Sequence, residues 1–194
     1  MSDSAHLLAP AQRIEGNARL GMAIFLGTWV MLFAALFLAY AVLRAQAGGW
    51  PPAGLPRLPR ALPGLATALL LASSGALRWG VARARAQLGV RASLRTFRGA
   101  LLLAIGLGVA FVAVQAVVWR EVYGAGLVPS SGTYASVFFA LTIFHALHVA
   151  CGLLILMVVG ARNSAAGNGV WLAAVFWDFV TVVWLLIYLT VFWL

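Results

Sequence analysis

Along the chain, five long apolar runs alternate with short polar stretches, and arginine stands at most of the borders. The first run extends over about 20–43, between Arg19 and Arg44. The second covers about 62–81, with Pro63 at its start and Arg78 near its end. The third covers about 99–119, between Arg98 and Arg120; the fourth about 134–159; the fifth about 170–194. A run of roughly 20 apolar residues, at ~1.5 Å rise per residue, crosses the hydrocarbon core of a bilayer as a helix. The pattern therefore predicts an all-α, polytopic membrane protein: one transmembrane bundle of five helices over 1–194, preceded by a polar tail over 1–19. Barrel strands would instead alternate apolar and polar positions over about ten residues, and these runs are apolar all round.

The connections carry turn chemistry. Ala45 to Ala61 holds Gly48, Gly49 and a series of prolines, which predicts an extended surface loop. Pro63 is tolerated in a first helical turn, and Arg78 is long enough to snorkel to the interface. Ala82 to Thr96 contains four arginines and no acid. The Pro-Ser-Ser-Gly-Thr stretch, Pro129 to Thr133, supplies cap-type residues ahead of the fourth run. Ala161 to Gly169 reads as a tight turn. Glycines and alanines recur within the runs, as close helix contact in lipid requires.

Composition agrees with this reading. The chain is 64% hydrophobic and 9% charged, too few charges to clothe a soluble domain of this size. Its formal charge is +9, but the arginines lie between apolar runs, where they orient helices in a membrane rather than bind nucleic acid. With the N-terminus inside, the cytoplasmic side collects Arg13, Arg19, the six from Arg78 to Arg98, and Arg162. The outside keeps Arg44, Arg57, Arg60 and Arg120. This bias predicts a cytoplasmic N-terminus and a periplasmic C-terminus. The first 19 residues lack the pattern of a cleavable signal peptide, so the first run is expected to act as an uncleaved anchor. The single cysteine, Cys151, excludes an intrachain disulfide framework.

Candidate chemistry is confined to a few polar groups at membrane depth, where their cost marks them for scrutiny. His145 and His148 lie in the fourth run, three residues apart and so projecting from one helix face. They cannot clamp a haem between them, and the remaining histidine, His6, lies in the polar tail. A metal site from His145, His148 and Cys151, with Asp178 as a second-helix ligand, is conceivable but spread widely around the helix. Asp178, about 12 Å into the fifth helix, could pair with His148, about 18 Å into the fourth. That structural pair is the reading preferred, ahead of bonds from Asp178 to hydroxyls or backbone and ahead of a proton relay. Gln115 and Thr181 complete the set of intramembrane polar contacts. Trp171, Trp177, Trp184 and Trp193 recur along the fifth run, with packing and interface anchoring as one reading and a lipid or subunit groove as the other. Trp29, Trp177, Trp184, Arg78 and Arg162 are the candidate lipid or subunit contacts. No nucleophile–base pair or phosphate loop is present, so no catalytic, cofactor-binding or metal-binding residue is assigned.

Two ordered motifs resemble a known family. Gly132 to Gly152, G-T-Y-A-S-V-F-F-A-L-T-I-F-H-A-L-H-V-A-C-G, is similar to the Y-x-S-x-F-F-x-x-T-G-x-H-G-L-H-V-x-x-G signature of subunit III of the haem-copper terminal oxidases. Phe176 to Trp193 is similar to that family's Y-W-H-F-V-D-V-V-W-L-F-L-Y ending. Weaker matches lie at Ile24 to Phe33 and Leu65 to Ser74. Members have seven helices, or five when the first two are missing, and the chain fits the five-helix form. This chain departs from the family at its carboxylates. The family's glutamate in the first matching helix falls at Trp29, and the one following Gln115 falls at Val118. Another falls at Trp171, while the family's His and Asp in the last motif are replaced by Asp178 and Thr181.

The resemblance implies an accessory, non-redox subunit in the cytoplasmic (inner) membrane of a bacterium. It would stabilise the catalytic subunit of a proton-pumping respiratory oxidase that reduces oxygen to water, and bind phospholipid. Subunits I and II would be its partners, with haem and copper held there. The chain would then be part of a cytochrome c or quinol oxidase without catalytic residues of its own. A subunit-III-like protein of a nitric oxide reductase system is the near alternative. A small transporter or channel is the distant one, and few polar residues are available to line its path.

Overall fold

The computed structural model describes residues 3–47, 49–50, 58–86, 90–162 and 167–193. They form five α-helices: α1 (Asp3–Gln46), α2 (Ala61–Ala86), α3 (Val90–Gly124), α4 (Thr133–Ala161) and α5 (Asn168–Ile187). The last runs on into a π-helical turn, Tyr188–Trp193. All five are long and apolar enough to cross a membrane, and no strand occurs among the described residues.

The helices outrun the apolar segments. α1 begins at Asp3, so the polar stretch expected as a tail is helical from there on. α2 continues to Ala86 and α3 begins at Val90, so the basic connection is largely helix end. Alanine, leucine and arginine are strong helix formers, and the ends continue in water what begins in lipid. The prolines between Trp50 and Leu58 and the centre of the turn after Arg162 lie outside the described residues.

α4 starts differently from expectation. Its N-cap is Gly132 at φ 112°, with no side-chain cap bond. The neighbouring hydroxyls serve the preceding turn instead: Val128 N–H donates to Ser131 Oγ at 3.0 Å, and Ser136 Oγ donates to Pro129 O at 2.7 Å. A left-handed residue is needed where the chain reverses into the helix, and glycine supplies it without steric cost.

α5 lies centrally, packed on α1, α2 and α4, while α2 and α3 form the most extensive pair. α1 is peripheral: only 6% of its most apolar window is buried, against 56% for α5. α2 and α3 approach closely because Gly80 faces Ala100, where a Cβ on Gly80 would stand 2.2 Å from that of Ala100. The two ends of the bundle differ in chemistry. At one, Tyr40, Trp50 and Tyr134 stack edge-on at 5.5 and 4.9 Å, and Arg60 lies over Trp193. At the other, Arg83, Arg85, Arg91, Arg95 and Arg98 gather where α2 turns into α3.

Candidate functional site

The buried polar side chains of the bundle are Thr67 and Ser73 on α2, Gln115 on α3, Thr142, His145 and His148 on α4, and Thr181 on α5. His145 and His148 are both buried on α4, whereas Phe144, Leu147 and Cys151 lie on its exposed side. The two histidines face different neighbours. His145 meets Phe111 of α3 and Trp184 of α5, with ring centroids at 5.8 and 5.2 Å. His148 meets Trp29 and Phe33 of α1 at 4.1 and 5.1 Å, and its Nδ1 is 2.6 Å from Phe144 O. Nδ1–H therefore donates to Phe144 O, which can only accept, and Nε2 is buried in the α1–α4 seam. Rings fill the space around both side chains, so the pair does not present two ligands to one plane. Cys151 points away from them. Among the described residues no three His, Cys, Asp or Glu side chains converge as metal ligands.

Asp178 does not pair with a histidine. Its carboxylate accepts from Ser74 Oγ and from both Nε and Nη2 of Arg78, all on α2. Ser74 and Arg78 are one turn apart on the same helix face, and α5 packs on α2, so Asp178 meets them and not the α4 histidines. Arg78 thus has a partner within the bundle rather than simply snorkelling to the interface. The pair is partly open, with side-chain exposures of 49% and 29%.

Trp177 and Trp184, expected among the lipid or subunit contacts, are instead fully buried at 0% exposure. Trp177 Nε1–H donates to Ser73 Oγ at 3.0 Å, and Ser73 Oγ donates to Ala104 O at 2.6 Å. Trp184 Nε1–H donates to Thr67 Oγ1 at 2.9 Å, and Thr67 in turn donates to Pro63 O at 2.8 Å. These chains satisfy indole donors that lipid could not, and they tie α5 to α2 and α3. Sequence reasoning passed over Thr67, Ser73 and Ser74. The available signal was a repeat: tryptophans seven apart on one helix, matched by hydroxyls six or seven apart on another.

Trp177 also fills a notch. A Cβ on Gly152 of α4 would lie 2.7 Å from its ring, and one on Gly108 of α3 would lie 2.9 Å from it. The glycine that closes the histidine motif is therefore the seat of the α5 tryptophan.

Gln115 and Thr181 are buried as well. Thr181 Oγ1 donates to Trp177 O at 2.9 Å, one turn back on its own helix. One turn beyond Gln115 on α3, Trp119 Nε1–H donates to Thr142 Oγ1 at 3.1 Å. Trp29 is half-buried against His148, and Arg162 is exposed at the end of α4. The arrangement binds helices to one another.

Comparison with known proteins is consistent across the chain. The family model for cytochrome c oxidase subunit III matches residues 4–194. Cytochrome c oxidase subunit 3 of Dasypus novemcinctus is 36% identical over 192 residues, covering 93% of this chain and 70% of the relative. The proteins of the same name from Equus caballus and Ovis aries are 35% identical, with the same coverage.

Proposed function

The chain belongs to the cytochrome c oxidase subunit III family, and from that membership we propose that it stabilises the catalytic subunit of a proton-pumping haem-copper oxidase and binds phospholipid. The observation that carries this reading is how the intramembrane polar groups are used. Trp177, Trp184, Trp119 and Asp178 all bond to other helices of the same bundle, which is the chemistry of a scaffold. The histidines do not fit haem, because His145 and His148 are wedged among aromatic rings of different helices. Haem and copper accordingly belong in subunits I and II, with which this chain would form an oxidoreductase complex. His145, His148, Gln115, Asp178 and Thr181 act as contacts between helices, and Trp29 and Arg162 contribute to lipid or subunit contact. The location we propose is a bacterial cytoplasmic membrane, with the arginine-rich α2–α3 end facing the cytoplasm; the distribution of the 13 basic residues supports that orientation.

Isolation of the chain from native membranes tests this function. A haem-bearing, multi-spanning partner with an oxidase optical spectrum should come with it. Purification without such a partner, or a Soret band on the chain alone, would overturn the reading. Reduction of nitric oxide rather than oxygen by the isolated complex would move it to a nitric oxide reductase system.

A further inference from the structure

Two side chains inside the bundle, Gln115 of α3 and His145 of α4, have no hydrogen-bond partner among the described residues. Each is 1% exposed, and all their polar atoms are unmatched: Oε1 and Nε2 of the amide, Nδ1 and Nε2 of the ring. Helix register brings the two together. Leu101 lies against Gly160, Leu153 lies against Gly108, and Trp119 bonds to Thr142. α3 and α4 therefore run antiparallel, and Gln115 stands level with Ala146, the residue after His145. The His145 ring meets Phe111, one turn before Gln115 on α3, with centroids 5.8 Å apart. Trp119, one turn after Gln115, is held by Thr142, one turn before His145. The amide and the imidazole thus occupy the stretch between those two contacts. His145 lies about 18 Å along the roughly 43 Å of α4, near mid-depth in the bilayer.

Buried polar atoms in folded proteins are matched by protein groups or by ordered water. Helix backbone is committed to its own ladder. Thr142, the hydroxyl on this face of α4, already accepts from Trp119 and donates to Phe138 O at 2.8 Å. A direct bond between amide and imidazole would not suffice. An amide offers two donors and two acceptor sites, and a neutral imidazole offers one of each. One bond between them would leave most of that capacity unmet. Water carries donors and acceptors in one molecule, and a buried water makes about three hydrogen bonds. At the level of the amide α4 presents Ala146, whose side chain is a single methyl group.

We propose that Gln115 and His145 hold an ordered water between α3 and α4. The water accepts from Gln115 Nε2–H and donates to the unprotonated ring nitrogen of His145. A water-mediated contact is nearly as favourable as a direct hydrogen bond, so the bridge adds a polar tie between α3 and α4 beside that of Trp119 and Thr142. The site lies within this chain and does not depend on a partner complex.

The test is solid-state NMR of the full chain in phospholipid bilayers, with isotope-labelled histidine and glutamine. Magnetisation that starts on water protons should reach a ring nitrogen of His145, whose signal is assigned by its loss in His145→Phe. Gln115→Met keeps the length of the side chain and removes its polar atoms, and it should abolish that transfer. The Nδ1–H signal of His148, bonded to Phe144 O, reports in the same spectrum that the variant is folded. Failure of water magnetisation to reach His145 in the unaltered chain would overturn the proposal, as would transfer unchanged by Gln115→Met in a folded bundle. A density map of the unaltered chain gives a second reading that needs no variant. One peak should lie about 2.7–3.2 Å from both the amide and a ring nitrogen. Amide and ring bonded directly, with no such peak, would overturn the water assignment whatever the variant does.

Discussion

Trp177 sits where three helices meet, with its ring against Gly108 and Gly152 and its indole N–H on Ser73. The glycines matter here for the volume they leave free. In lipid no hydrophobic effect pulls helices together, so contact depends on close packing and interhelical hydrogen bonds. Gly152→Ala should therefore lower stability by about 1–3 kcal/mol, the usual cost of overpacking a filled site, read as a lower melting temperature in detergent. Gly106→Ala is the matched control. Its Cβ would meet nothing within 4 Å, so it should be neutral or stabilising by up to about 1 kcal/mol. Equal effects at the two positions would show that the notch does not hold the bundle. The sequence displayed the tryptophans but not their surroundings. An indole at membrane depth reads equally as belt, groove or core until its N–H partner is located, and Thr67 and Ser73 are distant in sequence and unremarkable in type.

The apolar runs located all five helices because length and hydropathy decide what can cross a bilayer. Their ends were less legible, since a run of alanine and arginine stays helical after leaving the hydrocarbon, as at Ala82–Ala86. The π-helical turn at Tyr188–Trp193 had no signature in the sequence; there Thr190 O accepts from Tyr40 of α1 at 3.0 Å. The partner of Asp178 was misplaced because depth along a helix does not reveal which neighbour a face meets. α5 turns that face to α2, so the pair forms with Arg78 and Ser74. Asp178→Asn and Arg78→Gln should each weaken the α2–α5 contact by on the order of 1 kcal/mol, the scale of polar contacts between transmembrane helices. The double variant should lose less than the sum of the two. Additive losses, or coupling of Asp178→Asn to His148→Phe instead, would return the carboxylate to the histidines.

At the scale of the whole molecule, the two ends of the bundle differ in a way that bears on orientation. One end gathers aromatic side chains around Tyr40, Trp50 and Tyr134, and the other gathers five arginines at the α2–α3 turn. Five crossings would put the start of α1 and the end of α5 on opposite sides, and arginine distribution would then set which side is which, because short basic segments resist translocation. Cysteine labelling can read the answer, since Cys151 is the single cysteine and Cys151→Ala gives a silent background. Ser130→Cys lies in the exposed α3–α4 connection and Arg85→Cys at the exposed end of α2. In intact cells a membrane-impermeant maleimide should reach Ser130→Cys, and reach Arg85→Cys only after permeabilisation. The reverse pattern would invert the protein and overturn the orientation read from the arginine distribution.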